Sequence, residues 1–158
     1  MEYNNEKEMY PDIIESIKYY MDFYGYPCKI FKTWQEFENE LYEKYQKEFD
    51  ILGNLGKPDI MVIYTDDMQK EKTLIIEVKK EDVTLLNIAQ AKMYGDIFNA
   101  DKVFLVGPYE LRRSIRQYYD VNHNILKYSN GRMMKFVQFK DKKLMLQNAF
   151  PEGGELFW

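Results

Sequence analysis

From Ile13 onward, apolar positions recur at helical spacing through Ile14, Ile17, Tyr20, Met21 and Tyr24. This is the stripe of a helix that lays one face on a core. Pro11 suits its first turn and Gly25 its stop, and the pattern predicts no element before residue 10. Tyr26 to Phe31 reads as a short strand. Thr33, with Glu36 three residues on, has the form of a capping box. The helix it opens carries its stripe on Trp34, Phe37, Leu41, Tyr45 and Phe49, with a strongly acidic opposite face. After a loop marked by Gly53, Gly56 and Pro58, DIMVIY and TLIIEVK are apolar on both alternating faces around the polar turn TDDMQKEK. They predict an antiparallel hairpin in the middle of a covered sheet. TLLNIAQAKMYGDIF at 84–98 is a helix ended by Asn99 and Ala100. Lys102 to Val106 is a strand, and Tyr109 to Tyr119 is a basic helix. From about Ile125 to Leu146 the pattern suggests a β-meander, with turns at Ser129-Asn130-Gly131 and Lys140-Asp141-Lys142.

An antiparallel hairpin followed by a strand-helix-strand crossover gives an α/β fold, a central mixed β-sheet flanked by helices. The 158 residues suit one domain without a linker or repeat. Residues 1–9 are expected to be loose, 10–107 to form the core, and 108–158 to add a helix and strands. No apolar run is long enough to span a bilayer. The acidic start MEYNNEKEMY lacks the form of a secretory signal. One cysteine, Cys28, and one histidine, His123, exclude an internal disulfide, multi-cysteine zinc sites and paired-histidine metal motifs. A cytoplasmic compartment is the expectation.

Charge changes the picture in two places. The net charge is −4, yet residues 1–90 carry 11 basic against 19 acidic side chains and residues 91–158 carry 11 against 7. The second half contains Arg112, Arg113 and Arg116 on the basic helix, and Arg132 and Lys135 in the C-terminal strands. Lys80 and Lys92 flank the candidate site described next. These are candidate phosphate contacts, which position a nucleic acid without reading its sequence. Tyr118 and Tyr119 are candidates for stacking on unpaired bases, with core packing the simpler role.

The second place is inside the most apolar strands. Asp59 opens one, and Glu77 and Lys79 sit in the other, on one face because side chains alternate. A hairpin brings Asp59 beside Glu77. Two carboxylates and an ammonium at one end of a buried sheet are costly unless they pair with each other or with a metal. Two hard oxygen ligands, a backbone carbonyl and water suit Mg²⁺. A plain Lys79–Glu77 salt bridge is the simpler reading of an isolated E-x-K triplet.

The motifs Pro58-Asp59 and Glu77-Val78-Lys79, with the loop Gly56-Lys57 before them, resemble those of the PD-(D/E)XK nuclease superfamily. Gln90-Ala91-Lys92-Met93-Tyr94 resembles the Q-x-x-x-Y motif of its exonuclease-like branches. The resemblance covers about residues 10–107. It implies a restriction-endonuclease-like core and a Mg²⁺- or Mn²⁺-dependent nuclease, a DNA phosphodiester hydrolase. Asp59, Glu77 and the Val78 carbonyl would be metal ligands and Lys79 the catalytic lysine, with Gln90 and Tyr94 in support. A helix-borne acid completes such sites, for which Glu15 is the first candidate and Glu38 or Glu40 the alternatives. A binding or assembly module that keeps the fold without cutting stays open. So do a protein-interaction role for the acidic helix, endo- against exonuclease action, DNA against RNA, and a homodimer.

Overall fold

The computed structural model describes residues 3–33 and 39–153. Helix α1 (Tyr10–Tyr24) has Pro11 in its first turn and ends where Gly25 turns left-handed, at φ 72°. Strand β1 (Cys28–Lys32) follows. The acidic helix is two short helices, α2 (Asn39–Lys44) and α3 (Gln46–Leu52). The break falls at Tyr45, whose hydroxyl meets Thr73 Oγ1 at 2.7 Å and whose ring packs edge-on against Phe98. Trp34, Glu36, Phe37 and Glu38 lie outside the described residues.

Strands β2 (Ile60–Thr65) and β3 (Glu71–Val78) form the expected hairpin. Helix α4 (Leu85–Phe98) is capped by Thr84 and Asn87, which exchange side-chain hydrogen bonds, and closes at Asn99 in the left-handed region. It leads to strand β4 (Lys102–Gly107), helix α5 (Arg113–Val121), strand β5 (Lys135–Lys140) and strand β6 (Lys143–Leu144). The six strands make one mixed sheet in sequence order. β1, β2 and β3 pair antiparallel, while β3, β4 and β5 run parallel.

Strand alternation sorts the core into two layers. Ile60, Val62, Tyr64, Leu74, Ile76, Phe104 and Val106 pack with the Ile13, Ile17 and Met21 stripe of α1. Met61, Ile75, Val103 and Leu105 face Ile88, Ala91, Tyr94 and Phe98 of α4, with Phe49 and Leu52 of α3. Both faces are therefore covered, the reason these strands are apolar throughout.

Two regions differ from the sequence pattern. Before residue 10, Glu6–Glu8 form a 3-10 turn capped by Asn5, and Met9 is fully buried. The C-terminal part is not a meander. Residues 123–126 form a 3-10 turn, and Lys127 and Met133 share only an isolated bridge around the 129–131 turn. Tyr128 explains this, because its buried ring packs against Gly95 and its hydroxyl donates to the Ala100 carbonyl at 2.8 Å. The segment is thus held by α4 rather than by a strand neighbour. The β5–β6 turn is where the pattern puts it, with Asp141 and Lys142 both at positive φ, the geometry of a two-residue hairpin turn.

Candidate active site

The antiparallel register of β2 and β3 ends at Ile60 opposite Ile76. One step further, Asp59 stands opposite Glu77, and there side chains replace the backbone ladder. The Asp59 N–H donates to Glu77 Oε1 at 2.9 Å, and the Val78 N–H donates to Asp59 Oδ2 at 2.8 Å. On its other side β3 continues its parallel ladder with β4: the Lys79 N–H donates to the Val106 carbonyl at 2.8 Å. From the α1 side, the Tyr10 hydroxyl donates to Asp59 Oδ1 at 2.6 Å. Thr33 anchors the entry to β2 by donating its hydroxyl to the Pro58 carbonyl.

Glu77 is buried, with 2% of its surface exposed. Lys79, on the same face, holds its Nζ 3.8 Å from Glu77 Oε2. Burial, and then the nearby Asp59 charge, push the Glu77 carboxyl up to about 9, with Lys79 opposing. Asp59 is also raised by burial, against the hydrogen bonds from Tyr10 and Val78. Beside a single ammonium in a poorly solvated place, both acids favour the protonated form more than a free carboxyl does.

A third acid is present. Glu6, half-buried on the N-terminal turn, is raised by burial, against the charge of Lys79, and interacts electrostatically with both Asp59 and Glu77. On α4, the Gln90 amide donates to the Tyr94 hydroxyl at 3.2 Å. Tyr94 is buried and pushed up to about 12, by burial and then by the Glu77 charge. A Cβ at Gly56, whose φ is 111°, would lie 3.0 Å from the Tyr94 hydroxyl. The 53–58 loop thus closes over Tyr94 and, with Thr33 and Asp59, walls an open hollow of about 360 Å³.

The structure brings Asp59, Glu77, Val78, Lys79, Gln90 and Tyr94 to one place. It does not bring Glu15 there: that side chain is exposed on α1. Glu40 pairs with Lys29 at 2.6 Å on the surface, and Glu38 lies outside the described residues. Glu6 and Tyr10 have no counterpart in the sequence reading. Asn5 with Glu8 three residues on is a legible helix-start signature that would have moved the first element ahead of Pro11.

The basic residues are dispersed. Lys80 donates to the Asn4 carbonyl and lies 3.7 Å from Glu81. Lys92 donates to the Asn124 carbonyl at 3.3 Å. Arg112 is the N-cap of α5, outside its helical turns, and pairs with Asp82 at 3.3 Å. Arg116 turns inward, over the Phe150 ring at 5.0 Å and onto the Leu111 carbonyl, so only Arg113 remains an exposed helical arginine. Arg132 pairs with Asp101 at 3.0 Å, and Lys135 donates to the Pro151 and Gly153 carbonyls. Tyr118 is exposed, and Tyr119 stacks on His123 and meets Phe150 edge-on.

The donor set bears on a metal ion. Among the described residues no group of three or more His, Cys, Asp and Glu side chains is placed to hold an ion alone. Mg²⁺ is commonly held by one or two carboxylates and several waters rather than by an all-protein cage. Asp59 and Glu77 supply two hard oxygen donors, and a cation between them would favour the ionised form that burial opposes. The residues present therefore fit such an ion. No helix among the described residues is long and apolar enough to cross a membrane. No protein-family profile, curated protein or solved structure matches this chain.

Proposed function

We propose that this chain is a metal-dependent nuclease of the PD-(D/E)XK type that hydrolyses DNA phosphodiester bonds. One observation carries the reading: Asp59 and Glu77 face each other at the end of an otherwise apolar hairpin, with Lys79 beside Glu77. Folding alone gives no reason to place two acids and a lysine in the best-covered strands of the sheet, since buried ionic groups usually add little stability. The succession α1, β1–β2–β3 antiparallel, α4 and parallel β4 supports a restriction-endonuclease-like core.

Asp59, Glu77 and the Val78 carbonyl would hold Mg²⁺ or Mn²⁺, which supplies Lewis-acid stabilisation of charge on a phosphoryl group and lowers the pKa of bound water. Tyr10 and the Val78 N–H fix the Asp59 carboxylate, so its orientation does not depend on the ion. Lys79 places a fixed positive charge where a water or a phosphate oxygen would lie, and orients or neutralises it. Gln90 and Tyr94 support the wall behind Glu77.

A second reading has its own observation. Each carboxylate already accepts a backbone hydrogen bond, so the pair can serve as a cap on the opened sheet end in a binding module that does not cut. The deciding experiment is cleavage of single-stranded, duplex and branched DNA with Mg²⁺, Mn²⁺ or chelator. Nicking or degradation that chelator stops and that Asp59→Ala abolishes is expected. A folded protein inert on every substrate with both metals would leave the non-cleaving reading.

A further inference from the structure

The parallel strands β3, β4 and β5 end at one edge of the sheet, at Val78, Gly107 and Lys140. The segments just beyond these ends, with the N-terminal Tyr3, enclose a cleft of about 680 Å³. The crevice outside the carboxyl ends of parallel strands is where open α/β sheets hold their ligands, and this volume has room for a nucleotide. The cleft lies at the sheet end where β3 carries Glu77, although none of Asp59, Glu77 and Lys79 lines it. Lys80 on its rim follows Lys79 and donates to the Asn4 carbonyl at 3.2 Å, two residues before Glu6, which feels the charges of Lys79, Asp59 and Lys80.

The lining combines two chemistries. Lys80, Lys140 and Lys142 supply positive charge, against Glu81 and Asp141. Among the described residues Lys140 and Lys142 form no ion pair, while Glu81 is turned to Lys80 at 3.7 Å. Tyr109 stands 47% exposed on the wall, and Tyr3, half-buried, packs on the buried Phe139 with ring centroids 5.8 Å apart. Ammonium groups beside exposed aromatic faces are what a single strand requires: charge for its phosphates and rings for its unpaired bases. A duplex keeps its bases stacked and has none to offer such a recess.

We propose that this cleft holds a single-stranded nucleic-acid segment at the sheet end that carries the Asp59–Glu77 pair, with Lys80, Lys140 and Lys142 on its phosphates and Tyr109 stacked on a base. The strand's role as substrate rests on the nuclease reading, whereas its binding does not. The proposal puts the phosphate contacts at Lys80 and the β5–β6 turn rather than on α5, where Arg112 and Arg116 are engaged elsewhere.

The test is fluorescence anisotropy with labelled oligo-dT, oligo-rU and a blunt duplex, in chelator, on the full chain. Lys140→Gln with Lys142→Asn neutralises the turn, asparagine being chosen because position 142 has φ 61°. That pair should make the salt dependence of single-strand binding shallower by about 1.4 in log–log slope, two contacts at about 0.7 each. Tyr109→Ala should weaken binding about 5- to 150-fold, while Tyr109→Phe, which keeps the ring, should bind as the parent does. Arg113→Ala should leave binding unchanged. The two single strands distinguish DNA from RNA as the source of the same chemistry. Unchanged affinity and slope in the lysine pair and in Tyr109→Ala would overturn the proposal. So would duplex binding as tight as single-strand binding, or equal losses in Tyr109→Phe and Tyr109→Ala. Cleavage with unaltered cleft variants would refute the cleft and leave the nuclease. Cleft-dependent binding without cleavage would do the reverse.

Discussion

The Tyr10 hydroxyl, on the first turn of α1, donates a 2.6 Å hydrogen bond to Oδ1 of Asp59, 49 residues on. The contact ties the helix on one face of the sheet to the mouth of β2. It also fixes which way the Asp59 carboxylate faces. Tyr10 is itself buried, and burial together with the Asp59 charge raises its hydroxyl, so it stays a proton donor across the working pH range.

Tyr10→Phe removes that donor and little volume. Hydrogen bonds to charged groups contribute about 1.5–3 kcal/mol. Urea unfolding should therefore show a loss of about that size at neutral pH. Metal-dependent cleavage should fall because the carboxylate can rotate. A variant of parent stability would mean that this hydrogen bond contributes nothing to the fold.

Glu77 gives the protein a pH signature. Its carboxyl is raised in the folded state, from an ordinary 4.5 to about 9. A raised acid binds its proton more tightly when folded, so its contribution to stability is complete below about 4.5 and is lost as pH rises towards 9. In metal-free buffer the melting temperature should decline across that window. Glu77→Gln should flatten the decline and raise stability near neutrality by about 1–2 kcal/mol, while cleavage is lost. Equal pH slopes in the two proteins would show that Glu77 is not the titrating group.

Lys79→Ala tests the mechanism apart from the fold. The ammonium is partly exposed and makes one ion pair, with Glu77, which can take up a proton when its partner goes. Circular dichroism should therefore show a folded chain. Removing a group that stabilises developing charge typically costs about 10²–10³-fold in rate. Full activity in the folded variant would take Lys79 out of the reaction.

Gly56→Ala probes the loop over Tyr94. The residue has φ 111°, and a Cβ there would meet the Tyr94 hydroxyl at 3.0 Å. Both features oppose the substitution, and thermal unfolding should show a loss of about 1–3 kcal/mol. Gly53→Ala, also at positive φ but with open space around it, separates backbone strain from the contact: it should lose less. Equal losses would assign the whole cost to the backbone.

The one-dimensional pattern carries much of the fold because its causes are local. The α1 stripe, the Thr84 start and Asn99 end of α4, and the two-faced strands β2 and β3 follow from periodicity, capping and turn chemistry. The pairing of Asp59 with Glu77 was legible for the same reason: a hairpin with its turn near residues 66–70 fixes the register of every residue around it. Where a long-range contact wins, the pattern fails. Tyr45 breaks the acidic helix to reach Thr73, and Tyr128 turns an expected strand towards Ala100. The basic helix shows the same limit, since periodicity places Arg112 and Arg116 on one face but cannot say that Asp82 and Phe150 take them in different directions. Thus the sequence by itself determined the order of α1, β1, the β2–β3 hairpin, α4, β4 and α5, the mixed sheet and the meeting of two acids with a lysine. Only the tertiary structure decided that Glu6 and Tyr10 rather than Glu15 approach Asp59, and that Lys140 and Tyr109 stand together at the sheet edge. These pairs are far apart in the chain, and only strand order and helix packing bring them within reach.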